Sequence, residues 1–287
     1  MTLDNLVSPA VTVAVFETMA AVGLGVAVAD VMAVARDGRL LARAVLANYV
    51  LVPAVTVALL MAFGAHPMVA AGFLVLAVCP GAPFGPPLAI AAGGNAAVSV
   101  GLMTILAVSS AVIAPVSLCL LLPWVSAAQG LTPETVTRIL LTLIGVQILP
   151  LCAGLGIRHC RPALAARLTR PANRLGKVLN AVAVALILAA HYPLLMEVKL
   201  KGFIGMLLLL AASLAAGWLL GGSGSGHRKA MALTTALRNV GVGLVIVTGA
   251  FAGTPAVTAA LAYGLVGVLG SLALALYWSR QPGSLSV

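Results

Sequence analysis

Apolar residues run along this chain in stretches of about 20, each closed by a short cluster of glycine, proline or basic residues. A stretch of that length crosses the hydrocarbon of a bilayer as a single helix. Cutting at charges, Gly and Pro predicts nine spans, at about 8–30, 41–64, 68–92, 96–123, 133–157, 174–195, 201–221, 228–251 and 255–279. The expected fold class is therefore an all-α polytopic membrane protein forming one transmembrane domain.

Two of these stretches break the helical pattern. The third contains Cys79-Pro80-Gly81-Ala82-Pro83-Phe84-Gly85-Pro86-Pro87, four prolines and two glycines in the middle of a run apolar enough to span. Each free N–H or C=O in hydrocarbon costs several kcal/mol, so irregular backbone at that depth survives only against other protein or beside a watery cavity. A lone proline would read as a kink; four within eight residues predict a true break. The eighth stretch carries the second irregular segment, Thr234-Thr235-Ala236-Leu237-Arg238-Asn239-Val240-Gly241-Val242-Gly243. The two stand five spans apart, and interrupted segments in corresponding halves point to a transporter site built from inverted repeats.

Composition agrees. Hydrophobic residues make up 62%, charged residues 8%, and mean hydropathy is +1.16, which excludes a soluble globular domain. The basic excess of ten has no accompanying aromatic cluster, basic run or binding motif, so no nucleic acid is expected as a partner. The charge belongs to loops. Arg36, Arg39 and Arg43, then Arg158, Arg161, Arg167, Arg170, Arg174 and Lys177, then Arg228 and Lys229, and finally Arg280 fall on one side of a nine-span chain. The other side has only Arg138, Lys199 and Lys201. By the positive-inside rule the N-terminus is outside and the C-terminus cytoplasmic, in a plasma membrane of the bacterial inner-membrane type. Met1 to Asn5 lack a basic leader, so the first run is expected to remain as a span. Gly221-Gly222-Ser223-Gly224-Ser225-Gly226 reads as a flexible connector. Cys79, Cys119, Cys152 and Cys160 show no metal-ligand spacing and are expected as small packing residues.

Few residues could carry chemistry. Arg238 is, with Glu17, a full charge near the centre of a span, where it costs about 2.5–3.5 kcal/mol and must face the protein interior. It reads either as a structural group on carbonyls freed by a helix break, or as an anion-binding fork for a carboxylate or sulfonate. Asn239, Thr234 and Thr235 surround it; each alone would be an ordinary helix–helix hydrogen bond. Asn48 is an isolated amide in the second span, and Ser99 and Thr104 in the fourth would by default bond back to their own helix. Glu17 is a candidate proton carrier or a partly hydrated surface carboxylate, and His66 and His191 are interfacial. No nucleophile, base and orienter come together, so no enzyme activity is expected, and no cofactor or metal site is predicted.

At the two breaks the chain resembles the bile acid:sodium symporter family. Cys79-Pro80-Gly81 with Gly94, Asn95, Ala97, Ser99 and Val100 are similar to one of its crossover signatures, and Asn239 and Gly241 to the other. Met19, Gly23, Leu24, Asp30, Asn48 and Pro53 resemble its stretches after the first helix. The resemblance implies a core (spans about 41–123 and 201–279) and a panel (about 8–30 and 133–195), with two broken helices crossing in the core. It also implies that this chain starts at the family's second helix. The departures bear on mechanism. Gly85-Pro86 stand where members place a Ser-Asn pair, Thr234 where they place the glutamate of both sodium sites, Arg238 for a glutamine, and Met103 for a threonine ligand. Sodium needs several oxygens and a fixed guanidinium repels it, so sodium coupling is disfavoured.

The expected function is secondary transport of a small organic anion across the lipid bilayer, with Arg238 replacing the bound cation. The binding residues expected from the sequence are Arg238, Asn239, Thr234, Thr235, Asn48, Ser99, Gly85 and Pro86. The alternatives are an arsenite-type or other efflux carrier of the same fold, with Cys79 at the first break, or a symporter with an altered sodium or proton site.

Overall fold

Twelve helices follow one another in the computed structural model, which describes residues 3–125, 131–196 and 199–281. They are α1 (Leu3–Gly25), α2 (Val28–Arg36), α3 (Gly38–Phe63), α4 (Pro67–Ala77), α5 (Gly85–Ala91), α6 (Ala96–Val125), α7 (Pro133–Cys160), α8 (Pro162–Met196), α9 (Leu200–Leu220), α10 (Ser225–Ala236), α11 (Val240–Ala250) and α12 (Pro255–Ser279). Among the described residues, eight helical segments are long and apolar enough to cross a membrane, α10 and α11 counting as one. The third apolar stretch of the sequence is not among the eight. It consists of two short helices, α4 and α5, separated by Val78–Phe84.

Local chemistry explains where helices start, widen and stop. His66, Thr132 and Thr254 cap α4, α7 and α12, each followed directly by a proline whose missing N–H would have had no partner in the first turn. α3 and α7 each contain a π turn, Leu46–Leu51 and Ile144–Ile148, with Pro53 and Pro150 just beyond. A proline inside a helix lacks a donor and presses on the carbonyl four residues back, here Tyr49 and Val146. The wider turn accommodates it, with Val52 N donating to Ala47 O and Leu149 N to Ile144 O.

The first predicted span is divided: α1 stops at Gly25 and α2 begins at Val28. The basic stretch before the sixth span is helix rather than loop, because α8 runs unbroken through Pro171 for 35 residues, about 52 Å at 1.5 Å per residue. Hydrocarbon is roughly 30 Å thick, so the arginine-rich first turns extend the same helix beyond it. Of the cysteines only Cys79 is buried, and Cys152 and Cys160 lie on exposed helix faces.

Glycines let backbones touch, the usual means of helix association in lipid. On α1 and α7, Gly23 and Gly154 face each other, and a Cβ on Gly154 would sit 2.7 Å from Leu24 N. Gly72 packs on Ala256 and Gly217 on Ala232 in the same way. Gly154→Val is expected to lower stability by about 1–3 kcal/mol, the usual cost of overpacking where helices can still slide apart. Thermal unfolding in detergent would measure it, and an unchanged midpoint would mean that α1 and α7 are not held at this contact.

Candidate functional site

The segment α10–α11 is the most enclosed of the eight, and the reason lies in its break at Leu237–Asn239. Leu237 N still donates to Leu233 O and closes α10, whereas Asn239 must find its partners on the other break. Asn239 N donates to Cys79 O at 2.7 Å, and Asn239 Nδ2 donates to Gly81 O at 3.3 Å. Its Oδ1 accepts from Val242 N at 3.2 Å, capping α11. One asparagine therefore starts a helix with its oxygen and straps the opposite strand of backbone with its two nitrogens.

Arg238 supplies the charge. It is 3% exposed; Nη1 donates to Ala77 O at 3.2 Å and Nη2 to Thr235 O at 2.6 Å. Ala77 is the last residue of α4, and Thr235 is one residue from the end of α10. A helix C-terminus carries roughly half a negative charge on its free carbonyls. The guanidinium thus bridges the negative ends of both half-helices that stop at the crossing. Among the described residues it forms no ion pair, and Nε has no hydrogen-bond partner.

The remaining sequence-predicted residues sort into two groups. Asn48, in the π turn of α3, donates through Nδ2 to Ala44 O at 3.0 Å and to Thr235 Oγ1 at 3.3 Å, which ties α3 to the end of α10. Gly85 opens α5 beside Thr234: a Cβ there would lie 3.8 Å from Thr234 Cα, and Pro86 is buried next to it. The Thr234 hydroxyl is buried without a partner among the described residues, as is Asn48 Oδ1. These residues join Arg238 and Asn239 at the crossing. Ser99, fully buried near the start of α6, donates to Ala96 O at 3.0 Å on its own helix. Thr104 does the same to Val100 O.

A cavity of about 390 Å³ lies against the crossing, walled by Arg238, Asn239, Pro83 and Phe84 on one side and by α1 and α8 on the other. Its lining is mostly apolar. The polar groups on the far wall are Thr18, Lys177 and Asn180, with Asn180 Nδ2 donating to Thr18 Oγ1 at 2.7 Å. None of the three is among the binding residues expected from the sequence, where Lys177 counts as loop charge although its three-residue spacing from Asn180 puts both on one helix face. Glu17, next to Thr18, lodges against Gly176, which has no side chain to exclude it. Its Oε2 is buried and without a partner among the described residues.

The arrangement offers a buried guanidinium, a lysine, amide and hydroxyl groups, and an apolar chamber of small-molecule size. A family model described as Sodium Bile acid symporter family matches residues 12–198. The match takes in Asn48 and the first break and ends before α10 and α11. No curated protein matches the chain.

Proposed function

The chain belongs to the sodium bile acid symporter family, and from that premise we propose that it is a secondary transporter moving a small organic anion, with Arg238 standing in for the coupling cation. The observation that carries the reading is the convergence of two half-helix C-termini on one guanidinium. Carbonyls at such ends are the groups that coordinate sodium in transporters with broken helices. Here a side chain already occupies that role. The Thr234 hydroxyl and Asn48 Oδ1 are side-chain oxygens left without a partner among the described residues, and a fixed positive charge beside them disfavours a hard cation.

The anion would enter the cavity of about 390 Å³ between the crossing and the wall of α1 and α8. On this reading α4 and α5 together make one crossing, giving nine spans. The panel is α1, α7 and α8, and the core is α3 to α6 with α9 to α12. The close glycine contact of α1 with α7 supports the first group, and the crossing supports the second. The basic excess of the loops on one side favours an outside N-terminus and a cytoplasmic C-terminus, in a plasma membrane of bacterial type.

Uptake of labelled organic acids into proteoliposomes is the test. Replacing external sodium by choline is expected to change the rate by less than about twofold, since less than half a kcal/mol would then separate the two conditions. Strict dependence on sodium with a fixed stoichiometry would overturn the role given to Arg238. Glu17 is the candidate proton carrier for the coupling step, and uptake indifferent to a pH gradient would remove it. An efflux carrier that engages its cargo through Cys79 has less support: that thiol is fully buried and lines neither of the two large cavities.

A further inference from the structure

The larger cavity is not at the crossing. It encloses about 590 Å³ at the opposite end of the core, between the end of α3 and the starts of α4, α9 and α12. The stacked rings of Phe73 and Tyr263, centroids 5.4 Å apart, lie between it and Arg238: Phe73 lines this cavity, while Tyr263 and Arg238 line a small void beyond.

Its two ends differ in chemistry. The body is lined by aliphatic and aromatic groups such as Leu60, Val69, Phe73, Met206 and Leu209. Among the described residues the charged groups at the mouth are both positive. Lys199 and Lys201 line it, with Lys201 Nζ 5.7 Å from the ring centre of Phe63, so that its charge stays over the opening. Helices α4, α9 and α12 all begin around this mouth, and each presents its positive dipole end there. Just inside, Thr258 is 4% exposed, and its Oγ1 is buried with no hydrogen-bond partner among the described residues. A buried hydroxyl left unpaired beside a cavity lacks the partner that such groups normally have.

We propose that this cavity is a second binding site, separate from the transport cavity, for a single-chain anionic amphiphile. The carboxylate or phosphate would lie between Lys199, Lys201 and the Thr258 hydroxyl, and the alkyl chain would run down to Phe73. The proposal is independent of what the crossing transports. Gly205 offers a clean way to close the site: it lines the cavity, and no atom lies within 4 Å of a Cβ built there. A large side chain at that position therefore enters empty space rather than a neighbour.

The probes are radiolabelled laurate, for a free carboxylate, and lauroyl lysophosphatidylglycerol, for a lipid phosphate, titrated onto the full chain in nanodiscs of zwitterionic lipid. Saturable binding of one or both at one per chain is expected. Loss of two charge-assisted contacts in the Lys199→Ala/Lys201→Ala variant should weaken it by about tenfold or more, and Gly205→Phe should abolish it. A matching thermal midpoint would show that Gly205→Phe is folded. The proposal is overturned if Gly205→Phe binds as the parent does, or if dodecyltrimethylammonium binds as tightly as the anions.

Discussion

Arg238→Ala is expected to abolish uptake and to lower stability by about 2–6 kcal/mol, the cost of leaving two buried carbonyl acceptors unpaired. The carbonyls of Ala77 and Thr235 would lose their donors in a region that water does not reach, and a buried acceptor stripped of its partner costs about 1–3 kcal/mol. Two like-signed helix ends would also face each other with nothing between them. Arg238→Gln and Arg238→Lys separate charge from tether. Glutamine keeps a donor but removes the charge, and uptake is expected to fall about a hundredfold, some 2.7 kcal/mol. Lysine keeps the charge but cannot span both carbonyls with a planar fork, and is expected to retain measurable uptake with a lower thermal midpoint. If the glutamine variant transports as well as the parent, Arg238 is not a substitute cation. Sodium should then be tested again in that variant, where the repelling charge is gone.

The crossing was legible in the sequence because breaking a membrane helix takes unmistakable residues. Four prolines in an apolar run, and an arginine beside Asn239 in another, leave few alternatives, and the structure joins them through Cys79, Gly81 and Ala77. What the hydropathy pattern could not supply is which neutral polar groups turn inward. Ser99 and Asn48 look equivalent in sequence. Yet Ser99 bonds within its own turn, whereas Asn48 stands in a π turn that places its amide on Thr235. The wider turn comes from Pro53, five residues on, an effect invisible to an average over a window. Lys177 escapes the hydropathy pattern for a related reason. A charge at the edge of an apolar stretch reads as loop, but α8 continues through it and turns it toward the cavity. At the first break Gly85 sets its bare Cα against Thr234.

The two glycines of the first break should respond to alanine in opposite ways. Gly81 has φ +85°, in the left-handed region, and a Cβ there would overlap the backbone nitrogen of Ala107 on α6. Ala107 cannot retreat freely, because its carbonyl is gripped from the other side by Nε2 of Gln147, in the π turn of α7. Nor can Gly81 withdraw without pulling its own carbonyl from Asn239 Nδ2. Backbone strain of about 1–3 kcal/mol and overpacking of similar size add at this one position. Gly81→Ala is therefore expected to lose about 2–6 kcal/mol and most of its uptake. Gly85 is the control. It has helical backbone at the start of α5, and a Cβ would meet Thr234 at an ordinary 3.8 Å. Gly85→Ala should leave stability unchanged or raise it by up to about 1 kcal/mol through a less flexible unfolded chain. Thermal midpoints of the two variants, measured side by side, decide the matter. Equal effects would mean that the break is held by its prolines alone, and that the strap from Asn239 and the seat on Ala107 do not fix it.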